Sequence, residues 1–102
     1  MRYDEIQQKY DELGLDKRRY KLRNAEDVKT IIGFDIKKLR GYNKLTDEDK
    51  ELVEYLIVEY LNGHGLQARQ REIAKSIVRE PRRFKVTFED GFSYLYDNGT
   101  IG

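Results

Sequence analysis

Apolar positions recur with the period of a helix along most of the chain and with the period of a strand near its end. Tyr3, Ile6, Tyr10 and Leu13 follow one another at helical spacing, and Gly14 suits the left-handed position that ends a helix, so a first helix is predicted over about 2–13. Asn24 is a good N-cap for a second, with Glu26 and Asp27 in its first turn. Val28, Ile31, Ile32, Ile36 and Leu39 carry that helix over about 25–40, where Gly33 permits a break into two short pieces and Gly41 closes the segment. Thr46 opens a capping-box-like start with Asp49 three residues on. Behind it Leu52, Val53, Leu56, Ile57, Tyr60 and Leu61 form the strongest apolar stripe in the chain. Tyr55 and Val58 widen it, which predicts a central helix over 47–62. Ile73, Ala74, Ile77 and Val78 are read as the buried side of a fourth helix over about 67–79, stopped by Pro81.

After Pro81 the period changes to two. Phe84, Val86 and Phe88 alternate with polar residues, as do Phe92, Tyr94 and Tyr96, predicting strands over about 83–88 and 92–97. A three-residue loop with Gly91 in the left-handed position sets Phe88 opposite Phe92, Val86 opposite Tyr94 and Phe84 opposite Tyr96. That register gathers all six apolar residues on one face and leaves Leu95 and Ile101 outside. Asp97-Asn98-Gly99 reads as a second turn, leading to a short strand at 100–101. The expected fold is therefore α+β: about four helices followed by a C-terminal antiparallel hairpin or three-stranded meander, in a single domain over 1–102.

Composition narrows the classes. Of 102 residues, 38% are hydrophobic and 38% charged, so the core is modest and the surface strongly ionic. A net charge of only +1, with twelve aromatics and one proline, argues for a folded chain over a disordered one. There is no cysteine, which excludes disulfides and thiolate metal sites. No apolar run approaches the length of a signal or membrane helix, so a cytoplasmic location without membrane association is expected. The near-neutral total hides segregation: residues 17–44 and 64–85 are basic, and the other stretches acidic.

Catalytic chemistry finds little support. Acid–base and nucleophilic mechanisms usually enlist His or Cys, and the one histidine, His64, sits in a glycine turn. Asp47, Asp49 and Glu51 have the alternate spacing of a calcium loop's opening, but its central glycine and distal glutamate are lacking; a helix start accounts for them better. Gly63-His64-Gly65 lacks the lysine and following glycine of a phosphate loop. A non-enzymatic protein without metal or small-molecule cofactor is the expectation.

The basic clusters carry more. Lys17, Arg18, Arg19, Lys21 and Arg23 are spaced to follow phosphates, with Tyr20 among them for stacking. Arg69, Arg71, Lys75, Arg79, Arg82, Arg83 and Lys85 form a second region, in which Arg71, Lys75 and Arg79 would share one face of the fourth helix. Solvated surface balanced by the acidic third helix is the competing account. The expected partner is nucleic acid or a nucleic-acid-binding protein, engaged through these twelve positions other than Lys85. One alternative is an inhibitor or adaptor directed at a single protein through a charge-steered interface.

Residues 47–96 also resemble a winged helix, with Gln67-Ala68-Arg69-Gln70-Arg71 at the start of the second helix of a helix-turn-helix and the hairpin as the wing. That resemblance implies base-edge contacts by Gln67, Arg69, Gln70 and Arg71. In size, ionic character and lack of a catalytic set the chain is similar to small phage- or plasmid-encoded inhibitors of host nucleic-acid machinery, anti-CRISPR proteins among them. This likeness of type rests on no motif, and DNA mimicry would require a far more acidic chain.

Overall fold

The computed structural model describes residues 8–9, 11–12, 21–63 and 73–102. Of the first expected helix, Gln8, Lys9, Asp11 and Glu12 are helical, and the rest of 2–13 lies outside the described residues. The first complete element is a single helical turn, α1 (Ala25–Asp27), capped by Asn24, whose side chain accepts the Asp27 N–H at 3.0 Å. It widens into a π-helical turn, Val28–Ile32, and stops at Gly33, where φ is 107°. Two 3₁₀ turns follow, Ile36–Lys38 and Tyr42–Lys44. The segment 25–40 is thus broken where the glycine permits, and its apolar positions Val28, Ile31, Ile32, Ile36 and Leu39 are all buried.

Helix α2 (Asp47–Asn62) has the bounds its pattern predicts, and Thr46 Oγ1 accepts the Asp49 N–H at 3.1 Å. Leu56, Ile57 and Val58 are buried in succession, which requires packing on more than one side of the helix. Tyr55, expected to widen that stripe, is instead exposed. Tyr42 ties the preceding turn to this helix by donating its hydroxyl to Glu54 at 3.0 Å; burial and that carboxylate push the phenol up to about 12.

The fourth helix expected over 67–79 is overturned for its second half. Ala74–Glu80 is strand β1, paired antiparallel to β2 (Arg83–Phe88), which pairs in turn with β3 (Gly91–Tyr96). Residues 64–72 lie outside the described residues. The physical reasons are local. Ile77 and Val78 are β-branched and adjacent, favouring strand. Pro81 ends the element as a turn former, since Pro81-Arg82 is a two-residue connection with Arg82 at φ 64°. A bulge at Lys75 shifts the register between Ala74 and Ser76, so the burial of Ala74 and Ile77 at a spacing of three imitates a helix. A helix-turn-helix whose second helix includes residues 74–79 is therefore not what this chain forms.

The β2–β3 register also differs from expectation. The loop has two residues, Glu89-Asp90, with Phe88 opposite Gly91 and Phe84 opposite Leu95. Phe84, Val86, Phe88 and Leu95 face the core, and Leu95 is 1% exposed instead of outward. Tyr60 of α2 stacks on Phe88, with ring centroids 5.4 Å apart, and its hydroxyl meets Ser93 Oγ at 3.1 Å. A row of three large rings in place of Leu95 and Ser93 would have buried two phenol hydroxyls beneath the helix. Beyond β3 the turn at Asp97-Asn98-Gly99, with Gly99 at φ 90°, returns the chain so that Tyr94 and Gly102 exchange backbone hydrogen bonds. Leu95 and Ile101 form an isolated bridge at the expected short strand.

The other sheet edge is covered by Arg40, whose N–H donates to Lys75 O and whose carbonyl accepts the Ile77 N–H at 2.8 Å. This crossing needs Gly41: its φ is 94°, and a Cβ would overlap the Ile77 carbonyl. Gly41→Ala is expected to cost about 3 kcal/mol or more, combining left-handed strain with backbone overlap. Gly99→Ala, at φ 90° but with open space around it, should cost only about 1–2 kcal/mol. Urea unfolding of the two variants separates these costs, and equal losses would contradict the crossing.

Candidate functional site on the outer sheet face

The same register that fills the core builds the opposite face. Arg83, Lys85 and Thr87 alternate with the buried residues of β2, and their partners on β3 are Tyr96, Tyr94 and Phe92. On β1, Glu80, Val78 and Ser76 stand opposite the same three. The outcome is a basic central strand flanked by a row of three aromatic rings. Phe92 is 56% exposed and Val78 53% exposed, so this face is open while α2 packs on the other.

Its cations are held against its rings. The Arg83 guanidinium carbon lies 3.7 Å from the Tyr94 centroid and 5.9 Å from that of Tyr96. Its Nε donates to Glu80 Oε1 at 2.8 Å and its Nη1 to the Tyr96 hydroxyl at 3.2 Å. Lys85 Nζ lies 4.5 Å from the Phe92 centroid, the diagonal cross-strand neighbour. Phe92 in turn meets Tyr94 edge to face at 5.4 Å. Every ring on the face is thereby fixed by a neighbour. Lys85 and Arg82 have no ion pair among the described residues, unlike Arg83, which pairs with Glu80.

The sequence-predicted positions distribute unevenly. Lys17, Arg18, Arg19, Tyr20, Arg69 and Arg71 lie outside the described residues. Lys21 and Arg23 lie near the end of α2, where Asn62 accepts the Leu22 N–H at 2.7 Å and donates back to its carbonyl. Arg23 is committed to Asp27 through Nε at 2.7 Å and Nη2 at 2.9 Å. Arg79 turns to the core side of the sheet edge, 4.4 Å over Phe84, bonded to Asp97 and 3.6 Å from Asp49 near the start of α2. Lys75, on the bulge, pairs with Glu89 at 3.3 Å. Lys75 and Arg79 therefore do not form a helical stripe. Asp49 and Asn62 stand about 20 Å apart along α2, which separates Arg79 from Lys21 and Arg23. Of the six described positions, only Arg83, with Arg82 in the adjoining turn, belongs to the outer face.

Sequence reasoning left out Lys85 as a site residue and placed Phe92, Tyr94 and Tyr96 in the core. The signal for their true place was the cross-strand pairing that a two-residue Glu89-Asp90 turn creates, basic opposite aromatic twice in succession. Other concavities are less suggestive. A groove of about 560 Å³ between residues 21–25 and α2 is lined by Glu51, Glu54, Tyr55 and Glu59, together with Lys21 and Arg23. Among the described residues no group of three His, Cys, Asp or Glu is placed to hold a metal, and no helix is long and apolar enough to cross a membrane. Comparison with protein-family models, curated proteins and solved structures finds no match.

The ion pairs have a pH signature. Hydrogen bonds from Arg23 hold the buried Asp27 carboxyl below its ordinary value against the opposing effect of burial, and Arg79 does the same for Asp97. A carboxylate whose folded pKa is depressed contributes stability above its unfolded pKa of about 4, and that contribution is lost as pH falls through the folded value. Asp27→Asn is expected to cost about 1–3 kcal/mol at neutral pH, from the loss of charge-assisted hydrogen bonds. It should also flatten the fall in urea midpoint below about pH 4. An unchanged acid limb in that variant would contradict the assignment.

Proposed function

We propose that this chain is a small non-enzymatic protein that acts on nucleic-acid machinery by binding nucleic acid, and that the outer sheet face is its contact surface. The observation that carries the reading is the juxtaposition of Arg83 and Lys85 with Phe92, Tyr94 and Tyr96 on one open face. Cations there meet phosphates, and rings offer stacking surface to bases. Arg82 extends the positive charge around the turn, in a left-handed conformation that glycine would adopt without strain. A strained, exposed arginine with no ion pair among the described residues is better accounted for by binding than by stability.

Affinity for mixed single-stranded and duplex oligonucleotides should fall steeply with salt. With about three phosphate contacts the loss between 50 and 200 mM salt is roughly 20-fold for single strands and roughly 40-fold for duplex. Lys85→Ala should lower the log–log salt slope by about 0.7–0.9. Arg82→Gly should weaken binding while leaving stability unchanged or slightly higher. Absence of binding at 50 mM salt, or binding indifferent to salt, would refute the reading.

One observation favours a protein-directed inhibitor or adaptor instead. Arg23, Lys75, Arg79 and Arg83 are each already paired with a carboxylate of the chain, which lowers the net charge available to phosphates. Recovery of one partner protein from nuclease-treated extract, lost on charge reversal at Lys85, would support that second reading.

A further inference from the structure

Resting on the nucleic-acid reading, we infer that the sheet face takes single strands and not duplexes, by stacking a base on Phe92 of β3. Side chains two residues apart on a strand stand about 6.6–6.8 Å from each other. Bases in a duplex repeat every 3.4 Å or so along each strand, about half that distance, and their flat faces are occupied by their neighbours. A single strand has bases open to stacking, and in this row Phe92 is the ring with surface to offer, because the Arg83 guanidinium already covers Tyr94 and reaches Tyr96.

The arrangement of charge agrees. A duplex-binding surface needs cations that stand clear of the protein to reach phosphates on both sides of a groove. Here Arg83 lies flat on Tyr94, and Lys85 lies against Phe92. Arg83 thereby closes Tyr94 to a base, and Lys85, held at Phe92, is the cation placed to meet the phosphate of a base stacked on that ring.

Phe92 is singled out by exposure and by support. More than half of its surface is open, although a phenylalanine at an ordinary surface position gains nothing from that. Tyr94 holds it edge-on and Lys85 lies at its ring, so it is oriented before any ligand arrives. Tyr96 is less available, because its hydroxyl is engaged by Arg83.

The test is fluorescence anisotropy with a labelled oligo(dT) strand of about twelve nucleotides, within the range that one such surface covers, alone and annealed to its complement. The single strand should bind about tenfold or more tighter than the duplex. Phe92→Ala should weaken single-strand binding by roughly 5- to 100-fold, the range set by loss of one base–aromatic contact. Phe92→Trp should preserve it and Phe92→Leu should not, which separates stacking from apolar area. Circular dichroism checks that each variant folds, as the exposure of the side chain predicts.

Equal affinity for the two probes, or a Phe92→Ala variant that binds like the parent, overturns the stacking inference and leaves the nucleic-acid reading standing. Failure of both probes to bind overturns that reading as well.

Discussion

Everything distinctive about this protein depends on the two-residue turn that joins β2 to β3. Because side chains alternate between faces, a hairpin shifted by one residue exchanges the inner and outer sets of β3. With Glu89-Asp90 as the loop, Leu95 and Ser93 meet α2 and the rings go outward. Burial of Phe84, Val86, Phe88 and Leu95 under Tyr60 and its neighbours then supplies the driving force for that choice. The outer face is the counterpart of a core that takes Leu95 and the Ser93 hydroxyl from β3.

The surface chemistry follows from the same placement. Cations of β1 and β2 divide according to the face they reach. Arg79, on the inner side, becomes a strut between the start of α2 and the end of β3, held by Asp49 and Asp97. Arg83 and Lys85, on the outer side, find rings. Two stretches that are both basic in sequence therefore have different fates. Arg23 satisfies a buried carboxylate at one end of the fold, and Arg83 and Lys85 lie against rings of the outer face.

Of the four helices the sequence suggests, the one over 47–62 stands as predicted, while 25–40 is a series of short turns and 74–79 is strand. Asn24, Thr46 and Gly33 act through local backbone chemistry, and each does in the structure what its residue type dictates. The α+β class and the strands around Phe84–Phe88 were legible for the same reason, a clear change of period. What failed was non-local. Residues 74–79 read as helix because Ala74 and Ile77 stand three apart, a spacing that the bulge at Lys75 accommodates in a strand, and because Pro81 signals an end without saying of what. The hairpin register failed because counting apolar residues on one face does not fix the loop, which is Glu89-Asp90 and not three residues long. The candidate site inherited that error: Lys85, Phe92, Tyr94 and Tyr96 are seen to share one face only when the register is known.

Cross-strand nuclear Overhauser contacts measure that register directly. Hα–Hα contacts between Lys85 and Tyr94, and between Thr87 and Phe92, are the result this account requires. Contacts between Val86 and Tyr94 and between Phe88 and Phe92 would put the rings back in the core and contradict it.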